Sequence, residues 1–212
     1  RECPDWELVE TLPPGIEELQ KVTRKINRLG FESHAISYYT YRKLEQNLKS
    51  ELVPLDNVVE KLRQVKDETE LQLMRQAAQI GDEVFTQLCR YKIAVGVSEK
   101  ELANELVYLL RQNGCDQEAF ATIAVAGENA ALPHGRPGNY RLQPGDMLIL
   151  DFGGLYNGYA ADMTRTVAIG KESPEFRSRY QAVLEAQQLG VSLVKAGVTC
   201  REIDLAVRDC LR

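Results

Sequence analysis

The most constraining feature of this sequence is one short stretch, ILDFGGLYNGYAADMTRT, residues 149–166. Apolar and β-branched residues on both sides of a Tyr-Asn-Gly turn predict two antiparallel strands. Each strand carries one aspartate, Asp151 and Asp162. Because like charges that face each other across a sheet are destabilising, a hairpin that brings two carboxylates together indicates a compensating gain.

The position of the turn determines how the two aspartates face each other. A turn centred on Tyr156 and Asn157 would place them directly opposite, with Cβ atoms about 5 Å apart. A two-residue loop of Asn157 and Gly158, a pair that type I′ turns favour, would make them diagonal neighbours at about 7 Å. Both registers leave the aspartates on one face, whereas a three-residue loop or a bulge would break the register.

A divalent cation between the carboxylates would remove their repulsion. Carboxylate oxygens suit Mg²⁺, Mn²⁺ or Ca²⁺, and with added imidazole a Zn²⁺ site. The pattern alone leaves two alternatives open. The aspartates could be ordinary solvated residues of an edge hairpin, or they could share one proton as an acid–base dyad.

His134 is the other candidate functional residue. It lies upstream of the hairpin in a loop rich in proline and glycine, NAALPHGRPGNYRLQPGD. A loop histidine is often only a surface residue, but near a metal it can donate a hydrogen bond to a substrate carbonyl or a developing oxyanion. The remaining histidine, His34, is far from the hairpin in sequence, and we interpret it as structural.

Composition narrows the possible classes of function. The net charge of -5, without a basic run, disfavours a nucleic-acid partner. No apolar run is long enough for a membrane span, and the first residues lack the order of a signal peptide, so we expect a cytoplasmic protein. The five cysteines, at positions 3, 89, 115, 200 and 210, form no C-x-x-C pair, which indicates reduced thiols.

The N-terminal part of the chain alternates between helical and strand patterns. Residues 15–29 have helical spacing with Gly30 as a stop, and the segments ESHAIS, YTYRKLEQNLK and ELVPL predict a strand, a helix and a strand. This α/β segment is too short for a convincing domain. We therefore expect residues 1–56 to be the C-terminal part of an N-terminal α/β domain, and residues 57–66 to be a junction.

Residues 67–212 form a larger region with both helices and strands. Capping-box spacing predicts the start of three helices, and Ser173-Pro174 predicts a fourth. The capping-box pairs are Asp67 with Glu70, Ser98 with Glu101, and Thr199 with Glu202. Between these helices, FATIAVAG, GDMLILDFG and GYAADMTRTVAIG predict strands.

The string NAALPHGRPGNYRLQPGDMLILDFGGLYNGYAADMTRTVAIG resembles the pita-bread metallopeptidases, in the branch of Xaa-Pro aminopeptidases and Xaa-Pro dipeptidases, or prolidases. The elements PHG, GD, LDFG, GY and DMTRT match that branch in order and spacing. The resemblance implies an α+β fold, the pita-bread (creatinase/aminopeptidase) fold, with residues 67–212 as the first half of the catalytic domain. A small creatinase-type domain would precede it. Because the last residues look like a helix cut short, we expect a fragment.

The resemblance also implies roles for individual residues. Asp151 and Asp162 match two aspartate ligands of a dinuclear site, and His134 matches a histidine that contacts the substrate near the scissile carbonyl. Thr164 would orient Asp162 without itself contacting the metal ions. Arg165 would be an ion-pair partner of the sheet. The implied cofactors are two divalent ions, commonly Mn²⁺, Co²⁺ or Zn²⁺.

The implied activity is removal of the N-terminal residue from a peptide or dipeptide with proline in second position. The implied partners are this proline-containing peptide and a second copy in a homodimer, with no nucleic acid and no membrane. Two alternatives on the same fold are a metal-free peptide-binding module and a creatinase-like C–N hydrolase, and the aspartate pair counts against both. By the resemblance, a second half of the family's catalytic domain supplies a ligand histidine, a substrate-side histidine and two glutamates, so we expect this chain alone to bind metal poorly and to be inactive.

Overall fold

A computed structural model describes residues 7–11 and 15–212 of the chain. The chain divides into two compact units, Arg1–Lys66 and Asp67–Arg212. The described residues of the first unit form three helices and two strands. They are α1 (Ile16–Thr23), β1 (Arg28–Glu32), α2 (Tyr38–Asn47), β2 (Glu51–Leu55) and α3 (Val58–Gln64). Strands β1 and β2 pair in parallel, and α2 makes the crossover that a parallel pair requires.

Two predictions for this unit are wrong. The helix predicted over residues 15–29 ends at Thr23, and the strand predicted at ESHAIS lies earlier, at Arg28–Glu32. Gly30 is a strand residue rather than a helix stop, because it pairs with Val53 of β2. Pairing with β2 is a tertiary contact that helical spacing within the local sequence does not reveal.

The second unit contains four helices and six strands. The helices are α4 (Glu68–Tyr91), α5 (Glu99–Gln112), α6 (Pro174–Leu193) and α7 (Cys200–Cys210). The strands are β3 (Gln117–Glu118), β4 (Ile123–Ala126), β5 (Met147–Phe152), β6 (Gly154–Tyr156), β7 (Tyr159–Ala160) and β8 (Met163–Ala168). They form two antiparallel sheets, ordered β3-β6-β7 and β4-β5-β8.

The predicted helix starts of this unit are confirmed. Capping boxes are present at the first residues of α4, α5 and α7. The hydroxyl of Ser173 accepts a hydrogen bond from the backbone N–H of Phe176, and Pro174 occupies the first turn of α6. Each cap satisfies backbone N–H groups that have no partner inside the helix.

The core of the second unit lies between α4, α5 and one face of the β4-β5-β8 sheet. Leu148, Leu150 and Phe152 alternate along β5 and are completely buried. They belong to one apolar cluster with side chains of the two helices, including Leu88, Leu102, Leu106 and Leu110. Because successive strand residues point to opposite faces, this burial leaves Ile149 and Asp151 on the other face of the sheet.

Within the described ranges, no helix combines the length and apolar character that crossing a membrane requires. Four cysteines are free thiols, with Cys115 buried and Cys89, Cys200 and Cys210 exposed. Cys3 lies outside the described residues.

Candidate functional site

The hairpin that carries the two aspartates turns at Asn157 and Gly158. Both residues have positive φ angles, 47° and 83°, as a type I′ turn requires. Tyr156 pairs with Tyr159 directly beside this turn. The structure therefore has the second of the two registers that the sequence left open.

The same register continues through the strands that bear the aspartates. Phe152 pairs with Met163, and Asp151 pairs with Thr164. Asp162 is two residues from Thr164 along the chain, so the register makes it a diagonal neighbour of Asp151. The two carboxylates are thus brought to one region of the hairpin by backbone pairing alone.

Asp151 lies in the middle strand of its sheet, between Ile123 of β4 and Thr164 of β8. Its side chain is half-buried. The hydroxyl of Thr164 donates to Asp151 Oδ1 at 2.9 Å. Thr164 was predicted to orient Asp162, and its partner is Asp151 instead. Within the described part of the chain, this is the one hydrogen bond that the Asp151 carboxylate accepts.

Asp162 lies where the hairpin ladder is interrupted, after the end of β7 at Ala160 and before the start of β8 at Met163. Its side chain is exposed. The register places Gly153 opposite Asp162, and the two backbones approach closely there. A Cβ on Gly153 would lie 1.8 Å from the carbonyl oxygen of Ala161, so only glycine fits this position.

A cavity of about 390 Å³ lies between the hairpin and α4, and Asp162 contributes to its wall together with Asp82 and Arg165. Arg165 Nη2 lies 3.6 Å from Asp82 Oδ1, and the guanidinium lies 5.9 Å from the centre of the Phe85 ring. The ion pair predicted for Arg165 is present. Its partners belong to α4, so Arg165 links the sheet to the helix.

His134 is exposed in the turn that follows a 3₁₀ helix, Gly127–Ala131. The next residue, Gly135, is buried and lies close to Val125 of β4. A Cβ atom added to Gly135 would lie only 3.2 Å from Val125 Cγ1. Val125 pairs with Ile149, two residues from Asp151 on the same strand. The loop that carries His134 therefore lies over the face of the sheet that bears Asp151.

One residue of this region was missed by the sequence analysis. The carboxylate of Glu99, at the start of α5, accepts hydrogen bonds from backbone N–H groups of Ala126 and Gly138. These two residues flank the loop that carries His134. An acidic residue in the first turn of a helix is common, so no signal in the sequence distinguished Glu99 from its neighbours.

The described residues supply two carboxylates that fit a cation site in part. Asp151 is half-buried, Asp162 is exposed, and hard divalent cations prefer carboxylate oxygens as ligands. Across residues 7–11 and 15–212, no group of three His, Cys, Asp or Glu side chains is arranged to hold a metal ion. A complete set of ligands therefore requires groups beyond these two aspartates.

Two family models match the chain. The Creatinase/Prolidase N-terminal domain matches residues 1–65, and Metallopeptidase family M24 matches residues 72–212. The second range includes His134, Asp151 and Asp162. The chain belongs to metallopeptidase family M24. The family resemblance inferred from the motifs is confirmed.

Known relatives of this M24 chain include both curated sequences and solved structures. The uncharacterized peptidase YqhT of Bacillus subtilis is 40% identical over 185 residues, which are 87% of this chain and 52% of the relative. The structure of Xaa-Pro dipeptidase from Bacillus anthracis has a TM-score of 0.93 and 37% identity, covering 98% of this chain and 59% of that one. The structure of X-Pro aminopeptidase from Thermotoga maritima has a TM-score of 0.92 and 34% identity, and the match covers 98% of this chain and 60% of that one. The M24 chain thus spans between about half and three fifths of these relatives.

These likenesses also confirm the predicted fold class. The M24 chain has the α+β pita-bread fold over part of the catalytic domain, with a creatinase-type unit before it. Membership in this metallopeptidase family supports divalent metal ions as cofactors.

Proposed function

We propose that the whole protein is a metal-dependent exopeptidase that removes the first residue from peptides or dipeptides with proline in second position. The M24 match, combined with two aspartates in diagonal register on one hairpin, carries this proposal. The substrate class is supported by the Xaa-Pro dipeptidase and the X-Pro aminopeptidase, which are similar to 98% of this chain.

In this proposal Asp151 and Asp162 hold two divalent ions, which are Mn²⁺, Co²⁺ or Zn²⁺. When bound, such ions polarise a scissile carbonyl and lower the pKa of water. Thr164 restrains the Asp151 carboxylate through its 2.9 Å hydrogen bond. His134 donates a hydrogen bond to the substrate near the scissile carbonyl, where negative charge develops.

We infer that residues 1–212 alone bind metal weakly and do not turn over substrate. Two carboxylates give fewer ligands than a divalent ion takes in a tight site. The relatives extend well beyond the part that this chain covers. A histidine and two glutamates in that further part would complete the site.

The experiment measures release of the first residue from Ala-Pro and from a longer Ala-Pro peptide by the complete protein. The enzyme is first freed of metal with a chelator, and it is then assayed before and after addition of Mn²⁺ or Co²⁺. We expect metal-stimulated release, and we expect Asp162→Asn to abolish it with an unchanged circular dichroism spectrum, because a neutral amide binds a divalent cation more weakly than a carboxylate does. Comparison of the two substrates separates a dipeptidase from an aminopeptidase.

The control is Asp204→Asn, which removes a carboxylate that pairs with Arg208 on α7, and it should retain full activity. Full activity in Asp162→Asn would contradict the proposal. Peptide binding without release would favour the metal-free binding module, and C–N bond hydrolysis that resists chelation would favour the creatinase-like reaction.

The proposal includes a homodimer, which the resemblance implied, and a cytoplasmic location, which the composition and the first residues led us to expect. The acidic net charge of -5 is compatible with a soluble environment but does not select an oligomeric state. Sedimentation velocity of the complete protein tests the dimer, and a single species with the mass of one chain would contradict it.

A further inference from the structure

Glu99 carries a carboxylate that is completely buried, with 0% exposure. Burial of an unpaired carboxylate is strongly unfavourable, so its partners indicate its role. All of the partners are N–H groups. Oε1 accepts from the backbone N–H of Ala126 at 2.9 Å, and Oε2 accepts from that of Gly138 at 2.7 Å. The amide Nδ2 of Asn129 lies 3.2 Å from Oε1 and 3.3 Å from Oε2.

The two backbone donors stand at opposite ends of the loop that carries His134. Ala126 is the last residue of β4, and Gly138 lies beyond the far end of the loop. The carboxylate of Glu99 therefore binds the backbone at both ends of the loop formed by residues 127–137. This arrangement is that of a compact surface loop with closely spaced ends.

The exit of the loop is also joined to the backbone of α5. The N–H of Glu99 donates to Tyr140 O at 3.0 Å, and the N–H of Lys100 donates to Gly138 O at 3.2 Å. Hydrogen bonds within the loop, by contrast, are local turns such as Gly135 N to Leu132 O at 3.1 Å. They shape the loop, whereas Glu99 attaches it to the core.

The chemistry of this position requires a glutamate. An ionised carboxylate offers two acceptor oxygens and no donor, which matches three N–H partners. A glutamine would direct an NH₂ group at one of them, and an aspartate is one methylene shorter. Glu99 also lies in the first turn of α5, where the helix dipole favours an acidic side chain.

We propose that Glu99 is a positioning residue that holds His134 over the face of the sheet bearing Asp151. It acts by fixing both ends of the loop, and it does not contact the substrate. This inference rests on the proposed function, since the contact of His134 with substrate is part of that proposal.

The first test is hydrogen exchange in the complete protein, which does not depend on activity. In Glu99→Gln we expect the amides of residues 126–138 to exchange at least about tenfold faster than in the wild type. The matched control is Glu105→Gln on the same helix, which removes a carboxylate that pairs with Lys92 at 3.0 Å and should leave this segment unchanged. Wild-type exchange of the segment in Glu99→Gln would overturn the inference.

The second test asks whether Glu99 acts through His134. We expect Glu99→Gln to lower kcat about tenfold with little change in KM, and to have almost no further effect when His134→Ala is already present. A merely structural role would lower kcat by the same factor in both backgrounds, and that result would overturn the inference.

A third variant covers the case in which Glu99→Gln does not fold. Asn129→Ala removes one donor but keeps the carboxylate, and we expect a smaller increase in exchange over the same segment. Unchanged exchange in Asn129→Ala would count against the inference. If the wild type shows no turnover, the proposed function fails, while the exchange measurements still decide whether Glu99 anchors the loop.

Discussion

Thr164 donates to the aspartate on the opposite strand, Asp151, rather than to Asp162, which lies two residues earlier in the chain. Directly opposed strand residues have Cβ atoms about 5 Å apart, whereas residues two apart along one strand are about 7 Å apart. The shorter cross-strand distance favours Asp151, which pairs with Thr164 in the ladder. The threonine therefore restrains the more buried of the two aspartates.

Removal of this hydroxyl tests its role. We expect Thr164→Val in the complete protein to weaken Mn²⁺ binding about tenfold, because groups that orient metal ligands have effects of that order. The loss of stability should be only about 1 kcal/mol, the usual value of one hydrogen bond. Calorimetric titration with Mn²⁺ measures the affinity. Thr166→Val is the control, since Thr166 lies on the same strand opposite Ile149, and equal affinity in wild type and Thr164→Val would contradict the role.

Gly153 permits the close approach of the two hairpin backbones beside Asp162. In Gly153→Ala the new Cβ would meet backbone atoms of Ala161, and these cannot move without opening the hairpin. We expect a loss of about 3 kcal/mol or more in the free energy of unfolding, measured with urea. Gly81→Ala is the control, because its Cβ would lie 3.4 Å from Met163 Cε, an ordinary contact. An unchanged unfolding midpoint for Gly153→Ala would show that the strands do not approach as described.

Only some residues of the candidate site could be predicted from the sequence. Asp151, Asp162 and the Asn157-Gly158 turn could be found because strand register follows from local alternation and turn chemistry. Glu99 could not be found, since its partners Ala126 and Gly138 are distant in sequence and donate through the backbone. Backbone donors leave no side-chain pattern for a sequence analysis to recognise.

Among the elements, helices were more predictable than the first strand. Caps such as Ser98 with Glu101 are short-range, and they depend on side-chain chemistry within four residues. Strand β1 depends on its parallel partner β2, which lies beyond an intervening helix. The spacing of apolar residues in β1 is compatible with a helix, and only the pairing with β2 makes this segment a strand.

The capping box of α5 makes a pH-dependent contribution to stability. The backbone N–H of Ser98 donates to the Glu101 carboxylate and, with the Ser98 hydroxyl, lowers the pKa of Glu101 below its ordinary value of 4.5. A lowered pKa in the folded state means that this stabilisation is present above the unfolded pKa and is lost as the pH falls through the folded one.

We therefore expect Glu101→Gln to be less stable than the wild type at pH 7, with the difference disappearing at pH values below the pKa of folded Glu101. Thermal unfolding at a series of pH values measures this difference. Glu105→Gln on the same helix serves as the reference for loss of a carboxylate outside the capping box. A difference between wild type and Glu101→Gln that persists unchanged into strong acid would contradict the assignment.

At the scale of the whole molecule, the M24 chain covers 59% and 60% of the two solved relatives. The described residues place two carboxylates on one hairpin, and they include no group of three metal-binding side chains. Under the proposed function, Asp151 and Asp162 therefore act together with ligands from other parts of the complete protein. The central claim is that a metal ion is bound by Asp151 and Asp162 jointly.

Anomalous diffraction from crystals of the complete protein grown with Mn²⁺ tests this claim most directly. We expect a manganese peak within bonding distance of a carboxylate oxygen of Asp151 and of Asp162, and its loss in Asp162→Asn. Manganese peaks only at other sites, or no peak while the two aspartate side chains point to opposite faces of the hairpin, would contradict the account.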